Sequence, residues 1–151
     1  MRCSLLGLLL CFSAFPLYAQ ERIIGTGALA TLGGVVNLYY QGRLYESGGY
    51  TFEFAHASNL EIGNSNDPVD VTGVATSYKH YIESYLYGTY AKLGLALLSM
   101  SDSDESASGL IPLLLVGYES EFGGRFLLGV EAGLGTTAGM GLFSVNLGMK
   151  L

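Results

Sequence analysis

Tryptophan is absent from this 151-residue chain, proline occurs three times and cysteine twice. Both cysteines, Cys3 and Cys11, lie close to the N-terminus, so the rest of the chain has no thiol for a disulfide framework or a cysteine metal site. Charge is scarce as well: 13% of residues are Asp, Glu, Lys or Arg, and acids outnumber bases 13 to 7. With no basic patch, the chain lacks the electrostatic footprint of a nucleic-acid binder. No Gly-x-y repeat or heptad occurs, which excludes collagen and coiled coil. No internal run approaches the roughly 20 apolar residues that a membrane-crossing helix needs. The best, Leu110 to Val116, is interrupted by Pro112. What is abundant is apolar and small. Half the residues are hydrophobic and there are 22 Gly, 11 Tyr and 7 Phe, too much apolar and aromatic surface for a disordered chain.

Residues 1–19 have the layout of a secretory signal peptide. Arg2 supplies the charged start, Leu5 to Phe15 a short apolar run, Pro16 the break, and Leu17-Tyr18-Ala19 a small residue before the cut. Cleavage is expected after Ala19, leaving one domain of 132 residues (151 − 19) over 20–151. A lipoprotein signal would want a small residue before Cys11, where Leu10 stands. Export without thiols leaves a mature chain with six bases against 13 acids.

Along that mature chain the recurring pattern has period two, the mark of strands with unlike faces. Phe143, Val145, Leu147, Met149 and Leu151 alternate with Ser144, Asn146, Gly148 and Lys150. Phe126, Leu128, Val130, Ala132 and Leu134 alternate with Arg125, Gly129, Glu131 and Gly133. Leu114, Val116, Tyr118 and Phe122 oppose Glu119 and Glu121. Tyr85, Tyr87, Ala91, Leu93, Leu95 and Leu97 oppose Gly88, Tyr90, Lys92, Gly94 and Ala96, and Tyr50, Phe52 and Phe54 oppose Thr51 and Glu53. A soluble sandwich would put Lys, Glu and Thr on its polar face. Here that face is mostly Gly and small residues, which suits the crowded inside of a narrow barrel, while the continuous apolar face suits lipid. Strands are expected near 23–31, 34–41, 49–58, 70–80, 85–99, 110–122, 125–137 and 141–151. Their connections alternate between short and long. The fold expected is all-β: an eight-stranded antiparallel up-and-down transmembrane β-barrel, with both termini in the periplasm. Tyr39, Tyr40, Tyr45, Tyr50, Tyr78, Tyr81, Tyr85, Phe122 and Phe126 gather near the short-turn end, as amphipathic rings do at a membrane interface.

This pattern resembles the small outer-membrane barrels of the OmpA and OmpX type, over residues 34–151 more closely than over 20–33. Many such barrels end in Phe or Trp, whereas this chain ends Met149-Lys150-Leu151. The resemblance implies a Gram-negative outer membrane, contact with lipid and lipopolysaccharide, and a structural or surface-interaction role. Partners would be met through the loops at 59–69 and 100–109.

Several constellations carry chemistry of their own. Glu53, Lys79, Lys92, Glu119, Glu121, Arg125, Glu131 and Lys150 fall on expected interior faces. An eight-stranded barrel is only wide enough to be filled by side chains, so these charges are expected to pair as a plug. His56-Ala57-Ser58-Asn59 places His56 and Ser58 on one face, with Asp70 across the hairpin, and a His, a Ser and an acid can make a base, nucleophile and orienter. The segment looks like the His-x-Ser-Asn motif of the outer-membrane lipid A 3-O-deacylases. By that resemblance Ser58 would be the nucleophile, His56 the base and Asn59 an oxyanion donor, with Asp70 where that family has Glu. There the motif lies in the penultimate strand, here in the third. A third reading is a soluble periplasmic barrel that binds a small apolar ligand.

Other motifs lead to no cofactor. Gly25-Thr-Gly27-Ala-Leu-Ala30 and Gly133-Leu-Gly135-Thr-Thr-Ala138 fit a dinucleotide fingerprint but lack the strand-then-helix setting it needs. Asp102-Ser-Asp104-Glu105 is an acidic loop tip without the remaining ligands of a calcium loop. His80 stands alone beside Tyr78 and Tyr81, and no metal pattern joins the two histidines to acids.

Overall fold

The computed structural model describes residues 21–27, 35–61, 68–101, 106–135 and 140–151. The expected signal segment, with Cys3, Cys11 and Ala19, lies outside the described residues. So do the expected turn at Gly33-Gly34, residues 62–67, the acidic tip at 102–105, and the ends of both fingerprint matches.

Eight strands follow one another: β1 (Arg22–Gly27), β2 (Val36–Tyr45), β3 (Gly48–Glu61), β4 (Pro68–Tyr81), β5 (Gly88–Ser101), β6 (Ser106–Phe122), β7 (Phe126–Gly135) and β8 (Met140–Lys150). Each pairs antiparallel with its sequence neighbours, and β8 returns to β1 to close the barrel. The paired residues, followed once round from Ile23, run through Gln41, Thr51, Ser77, Gly94, Leu113 and Gly135 to Met140. Ile23 itself faces Lys150 on β8. This stagger from Met140 to Lys150, ten residues, is the shear that tilts the strands and sets a narrow bore.

Burial alternates along the strands as the sequence pattern requires. On β7, Leu127 and Glu131 are buried while Phe126, Leu128, Val130 and Leu134 are exposed. Glycines inside the strands make room for rings. A Cβ at Gly117 would lie 2.4 Å from the Tyr90 ring, and one at Gly25 would lie 2.4 Å from that of Tyr39. At the β6–β7 turn, Gly123 (φ 61) and Gly124 (φ 72) take left-handed conformations that cost a side-chain-bearing residue dearly. Pro112, central in sequence, stands just beyond the β6–β7 ladder, whose pairing begins at Leu113. A residue without an N–H leaves that ladder intact.

The expected continuation of the first strand from 28 to 31 lies outside the described residues. Two local expectations change. Strand β2 runs on to Tyr45, which shortens the expected 41–48 connection to Glu46 and Ser47. Strand β5 starts at Gly88 rather than 85, because the chain turns back at Ser84–Tyr87, where Tyr87 N–H donates to the Ser84 carbonyl at 3.0 Å. Leu86 (φ 67) and Gly88 (φ 91) permit that turn.

Candidate functional site

The turn end of the lumen is filled. Tyr85, expected on the outer face, folds under the barrel with Leu86, and both join Ile23, Tyr39, Tyr81, Tyr90 and Leu127 in one buried cluster. Tyr39, Tyr81 and Tyr85 therefore do not belong to an interface belt. Nearness to an end of the barrel does not decide which face a side chain takes; parity and the turn do. Tyr40, Tyr45, Tyr78, Phe122 and Phe126 remain on the outer face, with Tyr45 stacked on Tyr78 and Phe122 on Phe126. Tyr85 N–H donates to the Glu46 carbonyl at 3.1 Å, which pins the turn beneath the bore. Burial pushes the Tyr85 phenol well above its ordinary pKa, so it stays neutral.

Above this cork lies a charged layer. Glu119 has no exposed surface. Its carboxylate accepts from the Lys79 ammonium, from Tyr81 OH at 2.6 Å and from Gln41 Nε2 at 3.4 Å. Lys79 also donates to Gln41 Oε1 at 2.9 Å and lies 4.3 Å from the centre of the Tyr90 ring. A second set follows. Lys92 Nζ sits 2.6 Å from Glu53 Oε1 and 3.1 Å from Glu131 Oε1, and Tyr90 OH donates to Glu131 at 2.9 Å. Thr51 Oγ1 donates to Glu53 Oε1 at 3.0 Å and also pairs with Ser77. Buried carboxylates are tolerated only when cations and hydroxyls satisfy them in this way.

Closer to solvent at the turn end, Glu21 meets Arg43 at 3.3 Å and Lys150 at 3.4 Å, and Lys150 also pairs with Glu121. Of the eight expected interior charges, seven join these networks. Arg125 does not: it lies in the exposed β6–β7 turn, where its carbonyl accepts from Lys150 N–H at 2.8 Å. Arg125 stands one residue before β7 begins, so the strand alternation does not reach it. Sequence reasoning missed Gln41 and Tyr81. Stepping two residues from Lys79 would have found Tyr81 on the same face, whereas Gln41 carries no charge to draw attention.

The His56–Asn59 segment has a different arrangement from the expected one. His56 Nδ1 pairs with Thr72 Oγ1 at 3.0 Å, across to β4. Register slips between Ala57, which faces Val71, and Leu60, which faces Val69, so Ser58 and Asn59 together oppose Asp70. That is a β-bulge. Asn59 sits at φ 56, a conformation Asn tolerates better than most residues, and its N–H donates to Asp70 Oδ1 at 3.1 Å. The structure thus joins Asp70 to Asn59 and His56 to Thr72, with Ser58 exposed between them. Among the described residues no group of three or more His, Cys, Asp or Glu could hold a metal ion.

The class that fold and site define is a closed eight-stranded antiparallel β-barrel with a charge-paired lumen. No protein-family model matches the chain, and no curated protein matches it.

Proposed function

We propose that the protein is a small barrel of a Gram-negative outer membrane, exported by residues 1–19. Its role is structural or surface-interactive, without an open pore and without catalysis of its own. One observation carries the reading: on β5 to β8 the ionised side chains face the lumen, and the outer face carries large apolar ones. The outward-facing described residues of β5 to β8 include no Asp, Glu, Lys or Arg between Thr89 and Met149. Among them Leu93, Leu114, Val116 and Phe143 are each more than half exposed. A soluble monomer rarely exposes contiguous apolar surface beyond a few hundred Å², and here it runs across β5 to β8, with Ile24, Leu38, Phe54 and Val74 exposed on the other four strands. Lipid removes the penalty, and closure removes the unpaired strand edges that lipid would not tolerate. Tyr40, Tyr45, Tyr78 and Phe126 near the turn end suit the headgroup level of such a membrane. Lipid and lipopolysaccharide would be its immediate surroundings. Strands β3 to β6 run further than expected and take up the ends of the expected loops at 59–69 and 100–109, so the segments joining β3 to β4 and β5 to β6 would be its means of reaching an extracellular partner.

The test is gel mobility of the outer-membrane fraction, unheated against boiled in detergent. A closed barrel resists detergent until heated, so the expected outcome is a shift on boiling. Recovery in the soluble periplasm with no shift would overturn the membrane reading.

A further inference from the structure

Beyond residue 19 the chain has six bases. Four of them, Arg43, Lys79, Lys92 and Lys150, form ion pairs. Arg22 and Arg125 form none among the described residues. Arg125 stands in the exposed β6–β7 turn, but Arg22 belongs to a strand. Ile23 beside it is sealed in the lumen and Ile24 is half exposed outside, so alternation turns Arg22 outward at the turn end of β1. Glu21, its neighbour in sequence, is taken up by Arg43 and Lys150. Arg22 faces Gly42 on β2, and Gly42 faces Tyr50 on β3. The Tyr50 hydroxyl lies over that glycine: a Cβ at Gly42 would be 2.5 Å from it. A guanidinium without a carboxylate and a phenol thus stand across neighbouring strands of the outer face.

Two shallow apolar grooves lie on the loop-end side of Arg22, and they share Ile24 and Leu38. One crosses β8, β1 and β2, with Leu147 and Met149 as its far wall and the facing glycines Gly25 and Gly148 as its floor. The other crosses β1 to β4, lined further by Tyr40, Phe52, Phe54 and Val74. Ile24 is the next outward position after Arg22, so the cation stands at the foot of the ridge that divides the two grooves. A glycerophospholipid has the matching layout: one phosphate from which two hydrocarbon chains descend. Guanidinium suits that phosphate in particular, because its planar fork can donate two parallel hydrogen bonds to it.

We propose that this outer face of β8 and β1 to β4 is a docking site for one anionic glycerophospholipid of the leaflet at the turn end, its phosphate on Arg22 beside Tyr50 and its two chains in the grooves on either side of Ile24 and Leu38. The proposal rests on the membrane reading and adds to it a fixed lipid position and a headgroup preference. An anionic headgroup is favoured over a zwitterionic one, because choline would bring a second cation to a guanidinium that has no acid of its own. Elsewhere on the outer face, across β5 to β8, no described Asp, Glu, Lys or Arg between Thr89 and Met149 offers such a hold.

The experiment adds dioleoylphosphatidylglycerol to the full-length protein in neutral alkyl-maltoside micelles and measures bound lipid by native mass spectrometry. Dioleoylphosphatidylcholine is the zwitterionic counterpart, and glycerol phosphate the headgroup without chains. One phosphatidylglycerol per barrel is expected, held more tightly than phosphatidylcholine, with glycerol phosphate not retained. Arg22→Gln should weaken phosphatidylglycerol by about tenfold, the loss of one charge-assisted contact, and bring it level with phosphatidylcholine. Arg125→Gln, which removes the other unpaired guanidinium, should change neither lipid. Ile24→Trp, which fills the grooves where they meet and keeps Arg22, should weaken both. Equal binding of the two lipids by the unaltered protein, an equal loss in Arg125→Gln, or unchanged binding in a folded Ile24→Trp protein would each overturn the proposal. The boiling shift separates the two readings. A barrel that shifts on boiling yet binds both lipids alike loses this site and keeps its membrane, whereas a soluble protein with no shift loses both.

Discussion

Glu119 is wholly buried, and three groups satisfy its carboxylate: the Lys79 ammonium, the Tyr81 hydroxyl and the Gln41 amide. Such a group stabilises the fold only while its partners remain. Lys79→Met removes the cation and leaves a sealed carboxylate, which should cost about 3–5 kcal/mol. Adding Glu119→Gln to Lys79→Met removes the orphaned charge as well, so the double variant should recover most of the loss. Urea unfolding of the three proteins in micelles measures it. A double variant no better than Lys79→Met would mean that the network is held by shape and not by charge. At this scale the sequence was informative where a charge broke an apolar alternation, as at Glu119, Glu131 and Lys92. It was silent about Gln41, whose uncharged amide looks the same in a strand of either orientation.

At the scale of elements, the strands were legible because alternation with Gly on one face is hard to read any other way, and all eight appear close to their expected places. The ends were not, because turns are decided by single backbone conformations. Tyr85 continues the apolar pattern of β5, yet Leu86 at φ 67 turns the chain under the barrel. The His56–Asn59 segment teaches the same lesson in chemistry. Read as letters it offers a nucleophile, a base and an oxyanion donor; as backbone it is a bulge fastened by Asp70. The bulge makes its own prediction. Asn59→Gly should keep the barrel's unfolding midpoint, whereas Asn59→Val, forced into a left-handed conformation, should lose about 1–2 kcal/mol. Ser58→Ala should leave both the midpoint and the acyl chains of lipid A from expressing cells unchanged. A change in lipid A that depends on Ser58 would favour the hydrolase over the structural role.

The whole molecule raises the question of what a closed cylinder with such a lumen lets through. Towards the turns the bore meets two successive obstacles: the Lys92–Glu53–Glu131 and Lys79–Glu119 layer, and beneath it the Tyr39, Tyr81, Tyr85, Tyr90 and Leu127 cluster held by the β4–β5 turn. An ion crossing would have to shed water and displace paired charges in a medium that screens them poorly. No steady conductance is therefore expected from the purified protein in planar lipid bilayers. The cork and the charges can be separated experimentally. Tyr85→Ala with Leu86→Ala unplugs the turn end but keeps every ion pair, so it should remain silent. Lys92→Ala combined with Glu131→Ala in that background removes two of the five charges of the layer and should admit small ions. Steady current from the unaltered protein would mean that the charged layer opens in the membrane. Current from the cork variant alone would shift the barrier from the charges to the rings.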